Sequence, residues 1–109
     1  MKLLLTIVQD ADANGLQRAL IENGFQSTKL ASTGGFLREG NTTLLIGLED
    51  HDVERAKEII HATCRERVKA VTPSPSITDM QEGYLAMPME VTVGGAVVFV
   101  LGVEEYAKL

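Results

Sequence analysis

Tryptophan is absent from this 109-residue chain, and aromatic residues make up only 5% of it. A core built from such a sequence must be aliphatic, and association between copies would help to complete it. The longest uninterrupted apolar run, Ala96–Leu101, is far too short to cross a bilayer, so no membrane insertion is expected. The amino terminus has one lysine before Leu3–Leu5 and turns polar at Thr6, which predicts a first strand and not a secretion signal.

Cysteine, histidine and basic charge are also scarce. The single cysteine, Cys64, cannot form an internal disulfide, which makes the cytoplasm the default location. The two histidines, His51 and His61, are ten positions apart, too far for a helical metal pair, so no metal site is expected. A net charge of −5 argues against binding to DNA or RNA, but it still allows a small anionic ligand.

The remaining pattern predicts one α+β domain that covers residues 1–109. Leu3–Val8 and Thr42–Leu48 are apolar runs typical of strands, and each is followed by apolar residues at helical spacing. Another strand is predicted from about Phe25 to Ser32. The predicted inner faces of the two helices consist of Leu16, Ala19, Leu20 and Asn23, and of Val53, Ala56, Ile60 and Cys64.

The two halves of the chain are weakly similar at an offset of 40 residues. Leu4-Leu5 aligns with Leu44-Leu45, and Asp10 aligns with Asp50. Each copy contains a strand, an acidic segment and a helix, which is the signature of an internal repeat. Two such units predict the ferredoxin-like, split βαβ architecture, with two helices on one face of an antiparallel sheet.

Four aspartates follow the two strands in pairs: Asp10 and Asp12, then Asp50 and Asp52. At these positions they are expected to cap the helices and not to serve as catalytic carboxylates. Cys64 lies on the predicted inner face of its helix, so we expect a small core residue and not a nucleophile. Because the sequence shows no other nucleophile or base, it predicts a protein without catalytic residues.

A long polar connection, from about residue 66 to 87, shows no periodicity, and connections of this length are commonly functional or disordered. It leads into Met89–Val93, followed by Gly94-Gly95 and the apolar run Ala96–Leu101. Two β-competent runs joined by two glycines predict a hairpin in which both glycines have positive φ.

The shorter loop at Thr33–Asn41 combines three glycines with a phenylalanine. The glycines allow successive backbone N–H groups to face one anion, and Lys29 and Arg38 place two positive charges nearby. Phe36 can pack on a nucleobase, while the amide of Asn41 matches the edge of an adenine. The same residues also fit a plain turn in which Phe36 packs on a neighbouring subunit, and the residues alone leave both interpretations open.

The segment Thr28–Thr43 closely resembles the PII-like cyclic di-AMP receptor family (the PstA or DarA family). The opening Ile7–Asp12 and the late Glu90–Val100 share this resemblance, which runs in register over nearly the whole chain. The resemblance implies a ferredoxin-like subunit in a homotrimer, with ligand sites in clefts between subunits and no catalysis.

The resemblance also assigns ligand-binding residues. Thr28 and Asn41 would hydrogen-bond an adenine, and Gly47 would lie close against it. The residues expected at the phosphates and the second adenine are Gly35, Phe36 and Leu37. Further candidates around the same cleft are Gln26, Arg38, Phe99 and Lys108.

Three positions depart from the family pattern. Family members have an arginine where this chain has Gln26, and losing that cation weakens charge-assisted pairing by roughly 1–3 kcal/mol. Ser76–Asp79 replaces a methionine-glycine-glycine run, and Lys108 replaces a glutamine near the ligand. Lys108 is positioned in the sequence to restore the charge that is missing at Gln26.

The sequence therefore predicts a signalling receptor for cyclic di-AMP or a related adenine nucleotide. Binding would order the segment Arg67–Met87 and so change which protein partner the trimer binds. The alternative is a trimeric protein-interaction module that no longer binds cyclic di-AMP.

Overall fold

The computed structural model describes residues 1–32, 40–71 and 89–109, which form two helices and six strands. The strands are β1 (Lys2–Gln9), β2 (Thr28–Ser32), β3 (Asn41–Leu48), β4 (Arg67–Val71), β5 (Met89–Val93) and β6 (Ala96–Gly102). The helices are α1 (Asp10–Glu22) and α2 (Val53–Cys64), and a single 3-10 turn (Asp50–Asp52) precedes α2. Within these residues, neither helix is long and apolar enough to cross a membrane.

The main sheet is antiparallel, with the strand order β2-β3-β1-β6. The central strand β1 pairs with β3 from Lys2↔Leu48 to Gln9↔Asn41, and with β6 on its other side. The two helices pack against each other and against one face of this sheet. The structure thus confirms the predicted α+β class, with two helices on an antiparallel sheet in the ferredoxin-like order.

Alternation along the strands decides which side chains form the core. Leu4 and Val8 of β1 face the helices together with Leu44 and Ile46 of β3, and all four are fully buried. The helices contribute the buried residues Ala13, Leu16, Leu20, Ala56, Ile60 and Cys64, with Val53 partly buried beside them. The hydrophobic spacing read from the sequence therefore locates the core of both helices.

The predicted inner face of the first helix and the predicted start of the strand that follows it are wrong in detail. Asn23 is exposed and follows the helix, where its amide donates a hydrogen bond to the carbonyl oxygen of Ala19 at 2.8 Å. Ala19 itself is only partly buried. The strand begins at Thr28 and not at Phe25, because the Phe25 ring turns into the core and is only 6% exposed.

Thr6, in the middle of β1, is fully buried on the helix side of the sheet. Within the described residues its hydroxyl has no hydrogen-bond partner. Thr6→Val replaces that hydroxyl with a methyl group of similar size, so we expect the free energy of unfolding to rise by about 1 kcal/mol. Urea denaturation followed by far-ultraviolet circular dichroism measures the change.

Thr42→Val provides the matched control for this substitution. The Thr42 hydroxyl donates a hydrogen bond to the carboxylate of Asp10, and Thr42 is only 5% exposed. The same change there should lower the free energy of unfolding by about 1.5–3 kcal/mol, since the hydrogen bond has a charged acceptor. A destabilised Thr6→Val variant would show that the Thr6 hydroxyl is satisfied.

The strands on either side of Gly94-Gly95 do not form the predicted hairpin. β5 pairs with β4 in a separate two-stranded sheet, whereas β6 joins β1 in the main sheet. Both glycines do have positive φ, 87° and 97°. The backbone amides of both glycines are hydrogen-bonded to other elements, and this holds the chain where it passes from one sheet to the other. The Gly94 amide donates to Oε1 of Gln9 at 2.6 Å, and the Gly95 amide donates to the carbonyl oxygen of Cys64.

The predicted long connection starts as a strand and not as a loop. β4 pairs with β5 from Arg67↔Val93 to Val71↔Met89, and we call this pair the β4–β5 ribbon. Arg67 and Lys69 alternate with Val68 and Ala70 along β4, and all four residues are exposed in the single chain. Residues 72–88, which include the rest of that connection, lie outside the described residues.

Candidate functional site

Three of the predicted ligand residues, Thr28, Asn41 and Gly47, lie on the sheet face opposite the helices. Because Leu44 and Ile46 face the helices, the alternating positions Asn41, Leu45 and Gly47 face the other way. In the register of the sheet, Thr28 lies beside Leu45. The predicted residues Gly35, Phe36, Leu37 and Arg38 lie outside the described residues.

A groove of about 320 Å³ opens at the end of the sheet where β2 begins. Its lining consists of Met1, Gln26, Ser27, Thr28, Leu45, Gly47 and Tyr106. The structure therefore brings together three of the predicted ligand residues, namely Gln26, Thr28 and Gly47. A Cβ atom at Gly47 would lie 3.7 Å from the Met1 methyl group, so a longer side chain there would fill the groove.

The groove can bind a flat polar ring by its edge. Gln26 and Thr28 are exposed and supply an amide and a hydroxyl, each able to donate and to accept a hydrogen bond. Leu45 and Met1 supply apolar surface beside them. None of the described side chains that line this groove is cationic, and the terminal ammonium of Met1, which belongs to the same lining, is already paired with Asp50.

Asn41 lies at the opposite end of β3 from this groove. It is six residues from Gly47, which corresponds to roughly 20 Å along a strand. Asn41 is 1% exposed, and its Cα is in register with those of Gln9 and Ser32. Thr28 is in register with Leu45, four residues or roughly 13 Å along β3 from Asn41, so a single chain does not place both around one base.

The two carboxyl-terminal candidates have different positions. Phe99 is 43% exposed on β6 and stands opposite Leu5, in the same cross-sheet row as Leu45 and Thr28. It lies about three strand spacings, roughly 14 Å, from Thr28. Lys108 is exposed in the segment after β6, and the lining of the groove includes Tyr106 but not Lys108.

A second cleft, of about 380 Å³, lies between the end of the short loop and the base of the β4–β5 ribbon. Its lining consists of Gln9, Asp10, Ala11, Gly40, Arg67, Lys69 and Val93. The backbone amide of Asp10 donates to the carbonyl oxygen of Gly40 at 2.9 Å. A Cβ atom at Gly40 would come within 2.5 Å of the Asp10 carboxylate, so any side chain at position 40 would require that carboxylate to shift.

The aspartates of the first helical turn do not cap α1 as predicted. Gln9 holds the capping position, and no side-chain capping bond is present in the described part of the chain. Asp10 instead accepts the hydroxyl of Thr42, and Asp12 receives two hydrogen bonds from the Arg67 guanidinium, at 2.8 and 3.4 Å. Partners that are distant in the sequence thus replace the local capping bonds.

The aspartates before α2 also make no side-chain capping bond within the described residues. Asp50 pairs with the terminal ammonium of Met1 at 2.9 Å, and this hydrogen bond and charge lower the pKa of the Asp50 carboxyl. Asp52 occupies the position before the helix and lies 3.6 Å from the imidazole of His51. The prediction that all four aspartates are helix caps is therefore wrong.

Cys64 is fully buried at the end of α2, which confirms its predicted place in the core. Burial raises the pKa of its thiol to about 12, and the charge of Asp12 acts in the same direction. A thiol with this pKa carries almost no thiolate at neutral pH, so Cys64 is a poor nucleophile. In the described ranges, no three His, Cys, Asp or Glu side chains are grouped to bind a metal ion.

Sequence reasoning missed four residues of the groove lining, namely Met1, Leu45, Ser27 and Tyr106. Ser27 precedes β2, and its hydroxyl oxygen lies 3.5 Å from the side-chain nitrogen of Gln17. Tyr106 belongs to the last seven residues, which have no periodicity that predicts a position. The one feature of the sequence that could have indicated Tyr106 as a groove residue is that it is the only aromatic residue in that segment.

Comparisons with known proteins identify the family of this chain. The family model described as cyclic-di-AMP receptor matches residues 1–109, the whole chain. A solved structure of a functionally unknown protein from Pediococcus pentosaceus is 40% identical, with a TM-score of 0.81. The match covers 99% of this chain and 96% of that chain. Because the family model spans every residue, the chain belongs to the PII-like cyclic di-AMP receptor family.

Proposed function

We propose that this protein is a non-catalytic signalling receptor of the cytoplasm that binds cyclic di-AMP, or a related adenine nucleotide, in clefts between the subunits of a homotrimer. One observation carries the proposal: a chain that matches the receptor family throughout has Gln26, Thr28 and Gly47 around one groove. Nucleotide binding in this cleft would change which protein partner the trimer binds.

The separation of the site residues supports a cleft between subunits. The Thr28 end and the Asn41 end of the sheet are too far apart in one chain to hold the same base. In a closed symmetric oligomer, the Thr28 end of one subunit can meet the Asn41 end of its neighbour. Each cleft would then take half of its residues from each of two subunits.

The sheet face opposite the helices supports association of subunits. Its apolar residues include Leu30, Phe99 and Leu101, which are 44%, 43% and 45% exposed in the single chain. Leu30 lies on one edge strand and the other two on the opposite edge strand, and large exposed apolar side chains on one sheet face are typical of an interaction site. Packing of these faces would bury the surface that the helices leave uncovered, as expected for a chain so poor in aromatic residues.

The neutral lining of the groove suggests how the phosphates would be bound. Gln26 supplies an amide where the family pattern has a cation, so the hydrogen bonds there are not charge-assisted. Lys108, exposed in the segment that contains Tyr106, is the candidate to supply the missing charge. Arg38 and the glycines of the short loop would complete the phosphate site.

Isothermal titration calorimetry with cyclic di-AMP and with ATP tests the proposal. At about 100 µM protein, micromolar binding produces a measurable heat. Thr28→Val removes one hydrogen bond to the base and should weaken binding about fivefold to tenfold, equivalent to about 1–1.4 kcal/mol. Absence of heat with either nucleotide would sink the ligand assignment.

The matched control for this titration is Thr92→Val. Thr92 is also an exposed strand threonine, but it lies on β5 and does not line the groove. Its substitution should leave the affinity unchanged. Equal losses from both variants would mean that Thr28 does not contact the nucleotide.

The neutral groove also favours a second candidate, a trimeric protein-interaction module that no longer binds cyclic di-AMP. That protein would sediment as a trimer yet show no thermal shift with mono- or dinucleotides. A receptor saturated at 100 times its dissociation constant should instead gain about 2.7 kcal/mol of stability. Sedimentation and thermal shift together distinguish the two candidates.

A further inference from the structure

The carboxyl-terminal segment turns back toward the groove after β6. The Val103 amide donates a hydrogen bond to the carbonyl oxygen of Met1 at 3.2 Å, which fixes the start of this segment beside β1. Three residues later, Tyr106 lines the groove opposite residues of β2 and β3. Tyr106 is 67% exposed, so burial in the core does not explain its position.

The lining of the groove combines polar and apolar groups. Gln26, Ser27 and Thr28 supply hydrogen-bonding groups, and Met1 and Leu45 supply apolar surface, with Leu45 directly beside Thr28 in the sheet. A nucleobase needs this combination, because its edge forms hydrogen bonds while its face prefers an aromatic ring. Tyr106 is the only aromatic residue among the described side chains that line the groove.

Gly47 makes room for such a ring. A side chain at position 47 would project into the space between Met1 and the base of the groove, since even a Cβ atom would contact the Met1 methyl group. Gly47 is exposed and lines the same groove as Tyr106, so the space that a side chain would fill is open to a ligand.

We propose that Tyr106 is the stacking residue of this half of the nucleotide site: its ring covers the face of the adenine whose edge is bound by Thr28 and Gln26. This inference rests on the proposed function and deepens it. It adds a binding residue from outside the loop at residues 33–41, and it makes the carboxyl-terminal segment part of the site.

The chain contains its own reporter for this contact. It has no tryptophan and two tyrosines, Tyr84 and Tyr106, so Tyr84→Phe leaves Tyr106 as the only tyrosine. Stacking of adenine on Tyr106 should cause a saturable decrease in tyrosine emission as cyclic di-AMP is added. A parallel titration of N-acetyltyrosinamide corrects for absorption by the nucleotide.

Calorimetry of substituted chains supplies the energetic test. Tyr106→Leu keeps an apolar side chain but removes the ring, and we expect cyclic di-AMP to bind about tenfold more weakly, within the range for loss of one base–aromatic stack. Tyr106→Phe keeps the ring and should bind within about twofold of the unsubstituted protein. Because Tyr106 is exposed, both variants should keep the urea midpoint of the unsubstituted protein.

The outcomes distinguish the stacking role of Tyr106 from the receptor function. If the unsubstituted protein binds cyclic di-AMP but Tyr106→Leu binds equally well, the stacking role is wrong and the receptor function stands. Unchanged emission of the Tyr84→Phe chain at saturation would also overturn the stacking role. If the unsubstituted protein gives no heat with cyclic di-AMP, the receptor proposal fails first, and the role of Tyr106 fails with it.

Discussion

Gly94→Ala is expected to lower the free energy of unfolding by about 4 kcal/mol. Gly94 has a φ of 87°, where an L side chain costs about 1–2 kcal/mol. A Cβ atom would also come within 2.5 Å of the carbonyl oxygen of Arg65 and 3.0 Å of that of Cys64. Backbone atoms cannot swing aside, so relieving these contacts adds a further 1–3 kcal/mol, roughly the cost of overpacking a core.

Gly24→Ala is the control that separates these two costs. Gly24 has a similar φ of 83°, but nothing lies within 4 Å of the position that a Cβ atom would occupy. Gly24→Ala should therefore lower the free energy of unfolding only by the cost of placing an L residue at positive φ, about 1–2 kcal/mol. Urea denaturation of both variants at one fixed protein concentration measures the difference, and equal losses would contradict the close packing around Gly94.

Arg67→Met is expected to lower the free energy of unfolding by about 2–3 kcal/mol. Its guanidinium forms two hydrogen bonds with the carboxylate of Asp12, which is only 8% exposed. Removing the arginine leaves that carboxylate at a nearly buried site without its charged partner. The expected loss is smaller than for a fully buried pair, because Arg67 itself is 39% exposed and partly screened by solvent.

A double-mutant cycle with Asp12→Asn checks the origin of this loss. Asp12→Asn should cost less than Arg67→Met, about 1 kcal/mol, because the arginine that remains can turn toward water. The double variant should then be more stable than the sum of the two losses predicts, by at least about 0.5 kcal/mol. Additive losses would show that the two side chains do not interact in solution.

The sequence predicts the main sheet and both helices because each of these elements is determined by the pattern of neighbouring residues. Hydrophobic alternation and helical spacing are properties of short windows, and they locate Leu4, Leu16 and Ile60 in the core. The 40-residue offset places the two strand–helix units correctly for the same reason. The errors at Phe25 and Asn23 occur at element ends, where local spacing carries the least information.

The hairpin and the helix caps could not be predicted, because distant residues decide them. Two glycines with positive φ fit a hairpin and a change of sheet equally well, and the Gln9 side chain, 85 positions away, selects the second. Arg67, 55 positions along the chain, likewise draws the carboxylate of Asp12 away from a capping role. In each case a hydrogen bond to a distant residue competes with a local one, and a short window of sequence does not include the distant partner.

The candidate site was predictable only in part, and for the same reason. The family resemblance supplied Gln26, Thr28 and Gly47, which the structure places around one groove. Tyr106 reaches that groove because Val103 is bonded to Met1, a contact between the two ends of the chain. Neither composition nor periodicity encodes a contact of that kind.

The β4–β5 ribbon has a consequence for how this protein can vary during evolution. Its base is fixed by the Arg67–Asp12 pair and by the amides of Gly94 and Gly95, and Val71 and Met89 stand side by side where the described strands end. Loop-closure entropy penalises a connection of twice the length between those two residues by only about 0.6 kcal/mol. Ser76–Asp79, where this chain departs from the pattern of its family, falls between them in the sequence and does not include the residues that fix the base of the ribbon.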